Sequence, residues 1–92
     1  MTEPTSAVKR SIHARELLAS EHDAWVASAS AAGEPYLIPL TYHWDGESML
    51  FSTPEKSRTA RDLRRNPGTR VSLPSTRDVV TMDGSVEFHD PG

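Results

Sequence analysis

Turn signals cut the middle of this 92-residue chain into short pieces, at Ala32-Gly33-Glu34, Asp45-Gly46, Asn66-Pro67-Gly68 and Asp83-Gly84. Glycine and asparagine reach backbone conformations that other residues resist, and proline stops a ladder or a helix. Pieces this short cannot hold long helices. Several carry an apolar period of two, the period of a strand. Trp25, Ala27 and Ala29 are expected on one face of a first strand, with Val26 and Ser28 on the other. Tyr36 to Trp44 is a second strand, rich in β-branched and aromatic residues. Asp45-Gly46 joins it as a hairpin to a third, Met49 to Ser52. Arg70 to Leu73 and Asp78 to Met82 read as the fourth and fifth. Asp83-Gly84 follows as a turn or bulge, and Ser85 to Phe88 continues extended. Two helices complete the order. One is capped by Ser11 and runs to about Ser20. The other is capped by Ser57 and runs through Arg65, with Ala60 and Leu63 on its inner side. Short strands joined by tight turns predict an antiparallel sheet that closes on itself, mainly β with short helices.

The length allows one domain, read as residues 11–92 behind a loose tail of residues 1–10. A core of this size is small, and a second chain would help it. With no cysteine, disulfides, thiolate nucleophiles and cysteine-ligated metals are excluded. No stretch approaches the ~20 apolar residues that span a bilayer. The chain is read as soluble and cytoplasmic. The net charge of −3 opposes nucleic-acid binding. Yet five basic residues (Lys56, Arg58, Arg61, Arg64 and Arg65) gather within ten positions with one acid, Asp62. A local positive site in an acidic chain suits a small anion.

The segment Lys56-Ser57-Arg58-Thr59-Ala60-Arg61 places a capping serine at a helix start between cations. First-turn N–H groups and the helix dipole favour a phosphate there. Ser57 would donate its hydroxyl, and Arg58 or Arg61 would grip two phosphate oxygens. The plainer alternative is a solvated basic helix. In the second strand, Leu37-Ile38-Pro39-Leu40-Thr41, Pro39 cannot donate to a ladder, which marks an edge or a bulge. Backbone groups left unpaired there can meet the polar edge of a planar ring; the alternative is an ordinary edge strand.

These pieces, in their order, resemble the flavin- and deazaflavin-binding split β-barrels, the pyridoxamine 5'-phosphate oxidase-like family. The resemblance runs from about Ile12 to Phe88. It is carried by Leu17-Leu18, Ala24-Trp25-Val26-Ala27, Ala32-Gly33-Glu34-Pro35, Leu37-Ile38-Pro39-Leu40, Trp44-Asp45-Gly46, Leu50-Phe51-Ser52-Thr53, Ser57-Arg58-Thr59-Ala60-Arg61-Asp62-Leu63, Asn66-Pro67, and Val79-Val80 before Gly84. It implies an FMN-binding split β-barrel. Leu37, Ile38, Pro39, Leu40 and Thr41 would lie along the isoalloxazine ring. Ser52 and Thr53 would sit near the ribityl chain. Ser57, Arg58 and Arg61 would hold the phosphate, with Lys56 a further contact. The cofactor, FMN or the deazaflavin coenzyme, would lie between the two chains of a homodimer. Two departures stand out. Thr59 replaces a lysine common in the family. The chain also stops at Asp90-Pro91-Gly92, short of a usual further helix and strand, so an open barrel or a shortened copy is implied.

Nothing else in the sequence competes with this site. Histidines 13, 22, 43 and 89 lack metal-ligand spacing. No Ser/His/Asp order marks a nucleophile. Trp25 and Trp44 read as core. The leading reading is a flavin- or deazaflavin-dependent oxidoreductase acting on a small molecule, with no catalytic side chain, because the cofactor carries the chemistry. The alternative is a non-catalytic cofactor-binding module or inactive relative.

Overall fold

The structure, a computed structural model, describes residues 4–89. Its elements in chain order are α1 (Pro4–Ser20), β1 (Asp23–Ala29), β2 (Pro35–Trp44), β3 (Met49–Phe51), α2 (Arg58–Arg65), β4 (Gly68–Ser72) and β5 (Thr81–Ser85). All five strands pair antiparallel in one sheet of order β3-β2-β1-β4-β5. This curled half-barrel is the expected split-barrel architecture. Among the described residues the sheet stays open, with β3 and β5 as its edges. The sequence reading held both a sheet that closes on itself and an open barrel, and the strand order shows the open form.

The pleat sorts the residues into two faces. Ala24, Val26, Tyr42 and Val71 are buried with Leu73 on one face, under Leu18 of α1. Leu40, Trp44, Met49, Phe51 and Met82 pack against that cluster. The register explains the grouping, since Val26 lies opposite both Ile38 and Val71, and Val71 opposite Met82. The helix is tied to this face where the Tyr42 hydroxyl donates to the Leu18 carbonyl at 2.8 Å.

Two boundaries differ from the sequence reading by three residues or more. Residues 4–10, expected as tail, are helical in backbone, so α1 starts at Pro4 rather than at Ser11. Proline suits a first helical turn, and no breaker follows it before Ser20. Residues 1–3 of the expected tail lie outside the described residues. The fifth strand starts at Thr81, three residues later than expected. The Leu73 N–H donates to the Val80 carbonyl, which closes residues 74–79 into a loop and places Asp83-Gly84 inside the strand rather than at a turn.

Candidate functional site

The second strand is paired on one side only for most of its length. It meets β1 from Pro35 to Thr41, but β3 covers only Tyr42 to Trp44. The hydrogen bonds fix which backbone groups point which way. Tyr42 N–H donates to the His22 carbonyl, and Ser30 N–H to the Glu34 carbonyl. Both pairs share one register with the β1–β2 ladder, in which hydrogen-bonded and non-bonded pairs alternate. Even-numbered residues of β2 therefore bond to β1. Odd-numbered residues turn their N–H and C=O to the other edge, where Asp45 N–H meets the Ser48 carbonyl beyond the strand. Beyond β3 that edge presents Pro35, Leu37, Pro39 and Thr41. No strand lies beside them among the described residues. The missing N–H groups of Pro35 and Pro39 thus fall where no partner strand needs them. The edge offers donors at Leu37 and Thr41 and acceptors at all four.

The chain returns along this edge. Phe51 ends β3 opposite Tyr42, and by residue 58 the chain has reached the start of β2, where the Arg58 guanidinium lies 4.2 Å from the centre of the Tyr36 ring. Between them, the Thr53 and Ser57 hydroxyls lie 3.1 Å apart. Ser57 is the N-cap of α2, and its hydroxyl accepts the Ala60 N–H at 3.1 Å. Its carbonyl accepts the Arg61 N–H. The Arg58 and Thr59 N–H groups are left at the helix start, where an anion gains most. An anion would also order the Thr53–Ser57 pair, turning a hydroxyl proton outward.

The expected site residues divide by position. Ser52, Thr53, Lys56, Ser57 and Arg58 lie on the segment that returns along the edge and starts α2, and Leu37, Pro39 and Thr41 lie on the edge itself. Leu37, Pro39, Thr41, Ser52 and Lys56 are exposed. Thr41 is turned sideways, its hydroxyl donating to Asp23 at 2.9 Å. Ile38 and Leu40 point to the inner face, and Leu40 packs on the core. Arg61 is exposed one turn further along α2. The sequence reading missed Glu34, Tyr36 and Asp62, all gathered at Arg58. Arg58 lies 3.5 Å from Asp62 through Nε and 3.9 Å from Glu34.

A shallow groove of about 270 Å³ on the outer face is lined by Trp25, Ala27, Leu37, Arg70, Ser72 and Thr81. Trp25 is 42% exposed here, which corrects its reading as core. The buried stripe of β1 is the even-numbered one, so the tryptophan falls on the side that no helix covers. Trp44 does pack against the core. Among the described residues, no helix is long and apolar enough to cross a membrane, and no three metal-ligating side chains cluster.

Comparison with solved structures returns the same fold. An F420 reductase is 23% identical, with a TM-score of 0.73 over 80% of this chain and 61% of that one. The heme storage protein HutZ from Vibrio cholerae is 18% identical, with a TM-score of 0.69 over 86% and 64%. A pyridoxamine 5'-phosphate oxidase-related, FMN-binding protein from Nostoc punctiforme is 18% identical, with a TM-score of 0.62 over 92% and 47%. The chain spans less than two thirds of each of these structures. No curated protein matches the sequence. The family model described as pyridoxamine 5'-phosphate oxidase matches residues 11–92, nearly the whole chain, and on that extent the chain belongs to the pyridoxamine 5'-phosphate oxidase family.

Proposed function

We propose that this chain is a flavin- or deazaflavin-dependent oxidoreductase that binds FMN or the deazaflavin coenzyme through its phosphate. One observation carries the reading: the half-paired edge of β2 and the capped start of α2 belong to one strip of surface. The residues present fit such a group. The Thr53 and Ser57 hydroxyls, the first N–H groups of α2 and Arg58 suit a phosphate, with Lys56 and Arg61 as outer cations. The edge donors and acceptors of Leu37, Pro39 and Thr41 suit the polar rim of a flat ring. Ile38 and Leu40 contribute through the strand they build, and Ser52 lies beside the Thr53 hydroxyl in sequence. When bound, the cofactor supplies hydride transfer, and the chain supplies grip and orientation. Solved relatives of this fold described as an F420 reductase and as an FMN-binding protein support the reading.

The working form is a homodimer, with the cofactor beside the subunit interface. The exposed Trp25, Leu37 and Leu50 are the apolar surface that a second copy would cover. We further propose that the protein works in the cytoplasm.

Titration of the purified chain with FMN and with the deazaflavin, followed by calorimetry, tests the proposal. One of the two should bind at micromolar levels, and Arg58→Ala should weaken it more than about tenfold with the fold intact. Failure of both cofactors to bind overturns it. Binding without turnover of any reductant would leave the non-catalytic binding module in its place.

A further inference from the structure

We propose that Asp62 is a positioning residue for the anion site, one that holds Arg58 by its Nε edge and leaves the outer guanidinium edge for the ligand. This rests on the phosphate reading above. Asp62 sits one turn beyond Arg58 on α2, where i and i+4 side chains meet. It is only 8% exposed and is the one acid of α2. Its Oδ2 is buried and has no hydrogen-bond partner, and the Arg58 Nε lies 3.5 Å from it. A buried carboxylate needs a partner, and the Arg58 guanidinium is near enough to serve.

The contact is made at Nε, so two oxygens of a phosphate can still meet the two terminal nitrogens together. The guanidinium carbon lies over the Tyr36 ring, 4.2 Å from its centre. Glu34 approaches one terminal nitrogen only to 3.9 Å and is itself widely exposed. Such a loose surface pair contributes little and yields to a ligand. Asp62 at one edge and the Tyr36 ring beneath the guanidinium thus fix the arginine before the ligand arrives. Ordering a long side chain in advance removes a cost that binding would otherwise carry.

The comparison of FMN with riboflavin, which lacks the phosphate, isolates this effect. Asp62→Asn should weaken FMN binding about three- to tenfold and leave riboflavin binding unchanged, and Asp62→Glu should recover most of the loss. If the deazaflavin is the cofactor bound, the same comparison uses it with and without its phosphate. Equal losses for both ligands, or no loss for either, overturn the proposal. A wild-type chain that binds neither flavin nor deazaflavin instead overturns the parent reading. The contact itself is tested in the wild type, whether or not the variants fold. The Arg58 Nε–H resonance should be protected from exchange, and inorganic phosphate should shift the terminal guanidinium signals more than it. A freely exchanging Nε–H shows that Asp62 does not hold the arginine.

Discussion

The two faces of the sheet use similar residues to different ends. On the inner face, Ala24, Val26 and Val71 are at most 5% exposed, packed with Leu18 of α1, and α2 lies against β1. On the outer face, Trp25, Leu37 and Leu50 stand 42–58% exposed, although Trp25 lies between Ala24 and Val26 in the same strand. Pleating sends neighbouring side chains to opposite sides, but hydrophobicity alone does not say which side is covered. The helices decide. A single chain buries the apolar residues of one face and leaves those of the other exposed.

The sharpest way to break this contrast is to charge each face. Val26→Asp places an unpaired carboxylate in the core and should cost about 3–5 kcal/mol, enough to unfold much of a small domain. Urea denaturation followed by circular dichroism measures it. The double change Trp25→Ser with Leu37→Ser should instead leave the stability of the single chain within about 1 kcal/mol while weakening self-association at least about tenfold. Sedimentation across a concentration series separates the two outcomes, and an unchanged association would free the outer face of its assigned role. Tyr42→Phe removes the hydroxyl that reaches the Leu18 carbonyl. A loss of about 1 kcal/mol is expected in the same urea series.

The smallest effect concerns the tie between α1 and the loop before β5. His13 contacts Asp78, and that hydrogen bond, with the aspartate charge, raises the histidine pKa above its usual value. A raised folded value means the stabilisation is complete below the unfolded pKa. It is lost as pH rises through the folded one. The melting temperature should therefore fall slightly from about pH 6 to pH 8, and Asp78→Asn should flatten that slope. The lowered pKa of Asp45, whose carboxylate accepts the Ser48 and Glu47 N–H groups, acts in a separate acidic window. There stability is lost as pH falls.

Much of this arrangement was legible from the sequence. The Asp45-Gly46 hairpin, the Ser57 cap and the end of α2 before Asn66-Pro67 are local signals, and each falls within a residue of its expected place. Pro39 announced an edge. Its true meaning needed the register, which shows that Pro35 and Pro39 both lack their donor on the side facing no strand. The exposure of Trp25 was illegible because a period of two identifies faces without saying which one the helices cover. The start of α1 was missed because residues 4–10 carry no apolar stripe to mark a helix. The gathering of Glu34, Tyr36 and Asp62 around Arg58 joins a turn, a strand and a helix. No spacing within the chain encodes such a meeting.

The half-paired edge of β2 has a consequence for the solubility of the chain. A bare row of alternating donors and acceptors is a template onto which any extended peptide can zip, the first step toward fibres. Here two of the four exposed positions are prolines, so an incoming strand finds gaps at Pro35 and Pro39 where its own carbonyls would need hydrogens. The edge can receive a small rigid guest that needs only a few bonds. It resists a polymer that needs all of them.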